Sequence, residues 1–245
     1  MLNNLSRSYI KAYENGNYHS DSNGERRALK VLSKFDLPVV FDVGANVGLW
    51  AKIIREYFPG STIHCFEVIE PTFKVLKENL SEIENVHLNN LGLSDVEADL
   101  EFKYYPERNT LSSLYDFPHD RPSEMIKGSV IPGDQYCREN DVQHIDLLKI
   151  DTEGAEMLVL RGFEQMLKEQ KISVIQMEYG GVNILSKSLL RDYHEFFDDL
   201  GYALGKVYPN YVDFTPYDFS KENFILSNFI AVQNNHQDII KKLSN

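Results

Sequence analysis

The sequence predicts an α/β fold, a doubly wound and mostly parallel sheet with one antiparallel strand near its C-terminal end. Three observations carry this. Short β-branched runs alternate with stretches of helical period from Val39 to about Leu200. The first apolar run feeds a glycine-bearing turn. Two closing runs, Tyr202 to Val207 and Phe224 to Val232, follow each other without room for a helical crossover, so they pair antiparallel.

In chain order, Val39 to Val43 is the first strand, and Val47, Trp50, Ile53, Ile54, Tyr57 and Phe58 then recur at helical spacing until Pro59-Gly60. Thr62 to Glu67 is the second strand. Pro71 suits a first helical turn and opens a helix with Phe73, Leu76 and Leu80 on one face. Val86 to Leu91 is the third strand, and Ala98 to Tyr105 alternates enough to be an extra one. A long irregular insertion is expected over 106–140, where four prolines fall. Order returns with Ile145 to Asp151, a helix bearing Met157, Leu160, Phe163 and Leu167, and a fifth strand from Ile172 to Glu178. A further helix, from Leu189 to Leu200, is closed by Gly201. We expect one domain over 1–245, with residues 1–38 as an N-terminal arm or cap.

Composition narrows the function. The 245 residues carry 25 basic against 37 acidic side chains, a formal charge of −12 with no Lys/Arg cluster, which sets the surface against a nucleic-acid backbone. Cys65 and Cys137 are too far apart in sequence for a Cys-x-x-Cys zinc or redox pair, and Cys65 reads as filler of a buried strand. No apolar run approaches the roughly 18 residues of a membrane span. Residues Met1 to Arg7 lack the apolar stretch of a signal peptide. The expectation is a soluble, cytoplasmic protein.

The turn Asp42-Val43-Gly44-Ala45-Asn46-Val47-Gly48 lies where open α/β sheets bind ligands. A dinucleotide fingerprint needs Gly-x-Gly-x-x-Gly, with bare backbone facing the pyrophosphate. Here Asn46 places a side chain at that point, and Gly48 falls one position early. Asp42 repels a pyrophosphate but attracts a cation. A ligand with adenosine at one end and a cationic amino acid at the other suits this loop, and that ligand is S-adenosylmethionine. Glu67, closing the second strand, is the acidic residue expected on the ribose hydroxyls about 20 residues further on. Ser94 and Asp95 stand where an adenine edge should be met.

Several stretches together resemble the FkbM-type methyltransferases: Phe41 to Gly48, Leu91-Gly92-Leu93-Ser94-Asp95, Leu148 to Glu156 and Leu160-Arg161-Gly162. The resemblance runs from about Val39 to Glu178, and Ser227 to Val232 is similar to the family's last strand. It implies a Rossmann-like, class I methyltransferase fold, S-adenosylmethionine as donor, and O-methylation of a hydroxyl on a sugar or natural product.

Methyl transfer from a sulfonium is an in-line displacement and needs help removing the hydroxyl proton. Asp151 and Glu178 end the fourth and fifth strands at one sheet edge, so they are the expected catalytic carboxylates, sharing the work or jointly holding a divalent metal. Asp151 as a helix cap, with Glu153 and Glu156 set favourably against the helix dipole, is the plainer alternative. Lys149 shares a strand face with Asp151 and joins the catalytic set. Asp42, Gly44, Asn46, Gly48, Glu67, Ser94 and Asp95 are the expected donor-binding residues. The acceptor is expected to be a small hydroxylated molecule, a sugar or a nucleotide- or lipid-linked sugar. Tyr9, Tyr13, Tyr18 and His19 in the arm and Arg108 to Ser113 in the insertion are candidates for its pocket. The aromatic link Tyr208 to Phe219 reads as packing, a lid or a homo-oligomer contact. An NAD(P)-dependent oxidoreductase and a non-catalytic subunit of the same fold are the competing functions.

Overall fold

A computed structural model describes residues 2–116 and 120–245. The chain divides into two compact units, one of Asp36–Ile175 and a smaller one joining the residues up to Phe35 to Gln176–Asn245. The segment expected as an arm folds within the smaller unit as α1 (Leu2–Tyr13) and α2 (Glu25–Leu32). Helix α2 buries Ala28, Leu29 and Leu32 at helical spacing, whereas α1 leaves Leu5, Tyr9 and Tyr13 exposed. Buried Asn15 ties the turn between them to the rest of the unit: its Nδ2 donates to the carbonyls of Asn23 at 2.7 Å and Val207 at 2.9 Å.

In the larger unit, β1 (Val39–Val43), α3 (Leu49–Tyr57), β2 (Thr62–Phe66), α4 (Glu70–Asn79) and β3 (Val86–Asn89) follow as predicted. Helix α3 begins at Gly48, whose φ of +84° suits glycine; a Cβ there would also lie 2.8 Å from Leu76 on α4. The third strand stops short of its expected end at Leu91. Residues Gly92–Ser94 instead form β4 of a separate three-stranded sheet with β5 (Ala98–Tyr104) and β6 (Glu124–Pro132), in the order β4-β6-β5. The span 106–140, expected to be irregular, therefore holds β6, paired residue by residue with β5, and α5 (Gly133–Glu139). Alternation in β6 is masked in the sequence by Lys127, Gly128 and Ser129, which gain their partners only by pairing with β5. Part of the same span, 117–119, lies outside the described residues.

β7 (Ile145–Ile150) is buried throughout and pairs parallel with β1. The single helix expected after it is two, α6 (Glu156–Gly162) and α7 (Glu164–Lys168), broken at Phe163. The cause is packing. Gly162 lies against the carbonyl of Ser94, so close that a Cβ would sit 1.9 Å from that oxygen, and the fully buried Phe163 ring packs against Gly133. The Asp134 carboxylate then accepts from the N–H groups of Gln165 at 2.8 Å and Met166 at 3.0 Å, restarting the helix. The parallel strands of this unit run β7-β1-β2-β3. Their order reverses at β1, the crevice where open α/β sheets take their ligands.

In the smaller unit the second half of β8 (Ile172–Tyr179) is followed by α8 (Asn183–Ser186), α9 (Leu190–Asp199), β9 (Tyr202–Val207), β10 (Val212–Asp213), β11 (Ser227–Gln233) and α10 (Gln237–Ser244). β11 pairs antiparallel with β9, the reversed strand the sequence predicts, though it begins at Ser227 rather than Phe224. A buried polar knot crosses this unit: Gln176 Nε2 donates to Glu25 at 2.9 Å and to Asn228 at 3.1 Å. Among the described residues, no helix is long and apolar enough to cross a membrane.

Gly162→Ala has no room for its methyl beside the Ser94 carbonyl. It is expected to cost about 1–3 kcal/mol as an overpacked contact, read as a lower urea midpoint at unchanged slope; wild-type stability would show that α6 can step away from β4.

Candidate active site

The crevice at the β1–β7 reversal opens into a cavity of about 400 Å³ walled by the larger unit, a volume within the range of small-molecule sites. Its floor is fixed by backbone. The Asp151 N–H donates to the Val43 carbonyl at 2.9 Å, continuing the β1–β7 ladder. Gly44, at φ +80°, comes so near the Asp151 carbonyl that a Cβ would lie 1.9 Å from its oxygen, so only glycine fits.

The loop after β1 uses its own N–H groups. Gly44 and Ala45 donate to the Phe66 carbonyl, Asn46 to Glu67 Oε2, Val47 to the Asn46 side chain and Gly48 to the Ala45 carbonyl. Glu67 is thus a strut as well as a cavity wall. Its Oε2 accepts from Asn46 at 3.0 Å and its Oε1 from Ile69 at 2.8 Å. Burial outweighs these two bonds and, with the charges of Asp42 and Asp151, lifts its carboxyl to about 7.

The run Lys149 to Glu156 makes the opposite wall. Lys149 is almost wholly buried, its Nζ 2.9 Å from Asp151 Oδ2 and 5.6 Å from the centre of the Trp50 ring. Beyond them the chain turns through two left-handed residues, Glu153 (φ +50°) and Gly154 (φ +104°). Glu156 holds the turn from inside, Oε1 accepting from the N–H groups of Thr152 at 3.1 Å and Gly154 at 3.0 Å. Ser113 holds it from outside, Oγ donating to the Glu153 carbonyl at 2.7 Å. Burial first, then the charges of Asp151 and Glu156, raise the Glu153 carboxyl to about 8. The third wall is apolar and comes from the small sheet: Leu100, Phe102 and Val130 with Leu114, packed on Val68 and Ile69.

Of the residues expected at the donor site, Gly44, Asn46, Glu67 and Ser94 line the cavity, and Asp42, Gly48 and Asp95 do not. Asp42 is fully buried in β1, outside the cavity lining, and its charge acts on Glu67. Gly48 serves helix packing. Asp95 is exposed beyond Ser94, whose Oγ lies 3.3 Å from its Oδ1. Of the expected catalytic residues, Lys149 and Asp151 line the cavity as an ion pair, and Glu178 sits half-buried on the second half of β8, in the smaller unit. No three His, Cys, Asp or Glu side chains among the described residues are grouped as a metal site, so the divalent metal finds no support. Asn109, Thr110, Ser112 and Ser113 of the insertion are in the wall, and Arg108 is exposed outside it. Sequence reasoning gave Glu153 only a place beside the helix dipole and overlooked Trp50; the hint for Glu153 was a non-glycine residue followed by glycine at the strand-to-helix turn.

Residues 42–204 match the model of the methyltransferase FkbM domain, and the chain belongs to that family. Curated relatives include the 2-O-methyltransferase NoeI of Sinorhizobium fredii, 26% identical over 63% of this chain and 68% of its own length. Another is the hexuronic acid methyltransferase AglP of Haloferax volcanii, 26% identical over 65% of each chain. The chain spans only 8% and 58% of the lengths of two further relatives, at 29% and 28% identity. Among solved structures, methyltransferase FkbM from Methylobacillus flagellatus superposes with a TM-score of 0.53 at 14% identity, over 80% of this chain and 43% of the other. That likeness speaks to the fold, which is the class I methyltransferase α/β fold the sequence predicts.

Glu67 makes stability depend on pH. Its folded carboxyl titrates near 7 against an ordinary 4.5, so its contribution is full below the ordinary value and is lost as pH rises through the folded one. Unliganded wild-type protein is expected to melt progressively lower from about pH 5 to about pH 8 through this group. Glu67→Gln should melt lower overall, having given up one of two backbone bonds, and with a flatter pH slope; an unchanged slope would remove Glu67 as its source.

Proposed function

We propose that this chain transfers a methyl group from S-adenosylmethionine to a hydroxyl of a sugar or a similar small molecule. One observation carries this: every backbone N–H from Gly44 to Gly48 is already bonded within the protein. Paired phosphates need such groups free, or cations in their place. Among the described residues the wall has one lysine, already paired with Asp151, and no arginine. Its acidic lining and self-bonded loop offer a pyrophosphate no partner, and this is what disfavours a nicotinamide dinucleotide.

The residues present fit that donor by their chemistry. Glu67 keeps lone pairs to accept from ribose hydroxyls, and Val68, Ile69 and Leu93 give a flat base an apolar bed. When bound, the donor supplies an electrophilic methyl on a sulfonium. Asp151, fixed by Lys149, is the group we assign to hold the acceptor hydroxyl and polarise its O–H bond. The hydrophobic wall of the small sheet keeps water from the methyl. A sugar acceptor is supported by the likeness to AglP, a hexuronic acid methyltransferase, and oxygen as the methylated atom by the likeness to NoeI, a 2-O-methyltransferase. Arg108 lies outside the wall, so a phosphate on the acceptor finds no arginine there. No role falls to Glu178 in this scheme.

Titration calorimetry with S-adenosylmethionine, S-adenosylhomocysteine and NADH tests it directly. Both adenosyl ligands are expected to bind one site competitively and NADH not to bind; NADH binding that displaced the adenosyl ligands would overturn the assignment.

A further inference from the structure

Among the described residues three carboxyl groups line the cavity, and the structure gives two of them partners. Both oxygens of Glu67 accept backbone N–H groups, and Asp151 is paired with Lys149. Glu153 differs. Among the described residues no hydrogen bond or ion pair uses its carboxylate, although it sits in the same wall. Its backbone is held at φ +50°, a region that disfavours side chains and that asparagine or glycine would occupy more easily. Two fastenings enforce it, Ser113 Oγ on its carbonyl and Glu156 across Thr152 and Gly154. A strained residue fixed from both sides, with a carboxyl group that lines the cavity and bonds to no neighbour there, is arranged to meet something.

We infer that Glu153 is the counter-ion of the donor's sulfonium, the side chain by which the site distinguishes charged donor from neutral spent product. It rests on the methyl-donor function proposed above. S-adenosylmethionine and S-adenosylhomocysteine share the adenosine, the amino-acid ammonium and the carboxylate; they differ in the methyl and in the charge on sulfur. A carboxylate that faces the sulfur therefore acts on their relative affinity. One that faces the ammonium or ribose acts on both alike.

The experiment is calorimetric titration of wild type, Glu153→Gln and Glu153→Gly with each of the two ligands. Glu153→Gln keeps the shape and removes the group's ability to ionise beside a cation, while Glu153→Gly also relieves the left-handed backbone. Both variants are expected to bind S-adenosylhomocysteine within about twofold of wild type and S-adenosylmethionine on the order of tenfold more weakly, a difference of about 1.4 kcal/mol. Equal losses for both ligands, or no loss for either, would overturn the inference while leaving the donor assignment standing. Wild-type protein that bound neither ligand would instead overturn the proposed function, and the inference with it.

Discussion

The site exists because two backbones touch. Gly44 and Asp151 end adjacent parallel strands at the point where strand order reverses, and they approach so closely that no side chain fits between them. That contact brings the loop after β1 and the turn after β7 to one cavity, and every lining carboxylate takes its position from it. Glu67 follows because its oxygens brace the first loop; Glu153 follows because the second turn must pass through left-handed backbone to leave the contact.

Charge within the cavity is arranged by the same economy of partners. A pocket holding several carboxylates is costly unless each is neutralised, hydrogen-bonded or protonated. Lys149 neutralises Asp151, backbone N–H groups hold Glu67, and burial pushes Glu67 and Glu153 toward their protonated forms. Under the proposed function, a sulfonium entering such a space would meet carboxyl groups already assembled, which is electrostatic preorganisation in the ground state.

Much of this was legible in the sequence. The β1 strand, its turn, the helix after it and Glu67 follow local rules of period and spacing, and the structure keeps them nearly to the residue. The insertion was not legible, because β6 owes its existence to pairing with β5 and its own alternation is interrupted by glycine and polar residues. Nor was the break at Phe163, which depends on Gly162 meeting a carbonyl from a strand far earlier in the chain. Asp42 marks the opposite failure. Spacing placed it beside the ligand, whereas β1 is a central strand buried on both faces and encloses it fully. Nor did local pattern show that the first residues join the last in one compact unit, which depends on contacts distant in sequence.

The small sheet β4-β6-β5 has a hydrophobic cluster of its own, with Ile69, Phe102, Tyr104 and Val130 at its centre. Leu100, Phe102, Leu114 and Val130 thereby shape the cavity from a panel whose packing is separate from the parallel strands that carry Gly44 and Asp151. Such a panel can be recut, residue by residue, to admit a bulkier or slimmer guest while the charged wall opposite keeps its chemistry. In a family whose members modify unlike molecules, this is where divergence would meet least mechanical resistance.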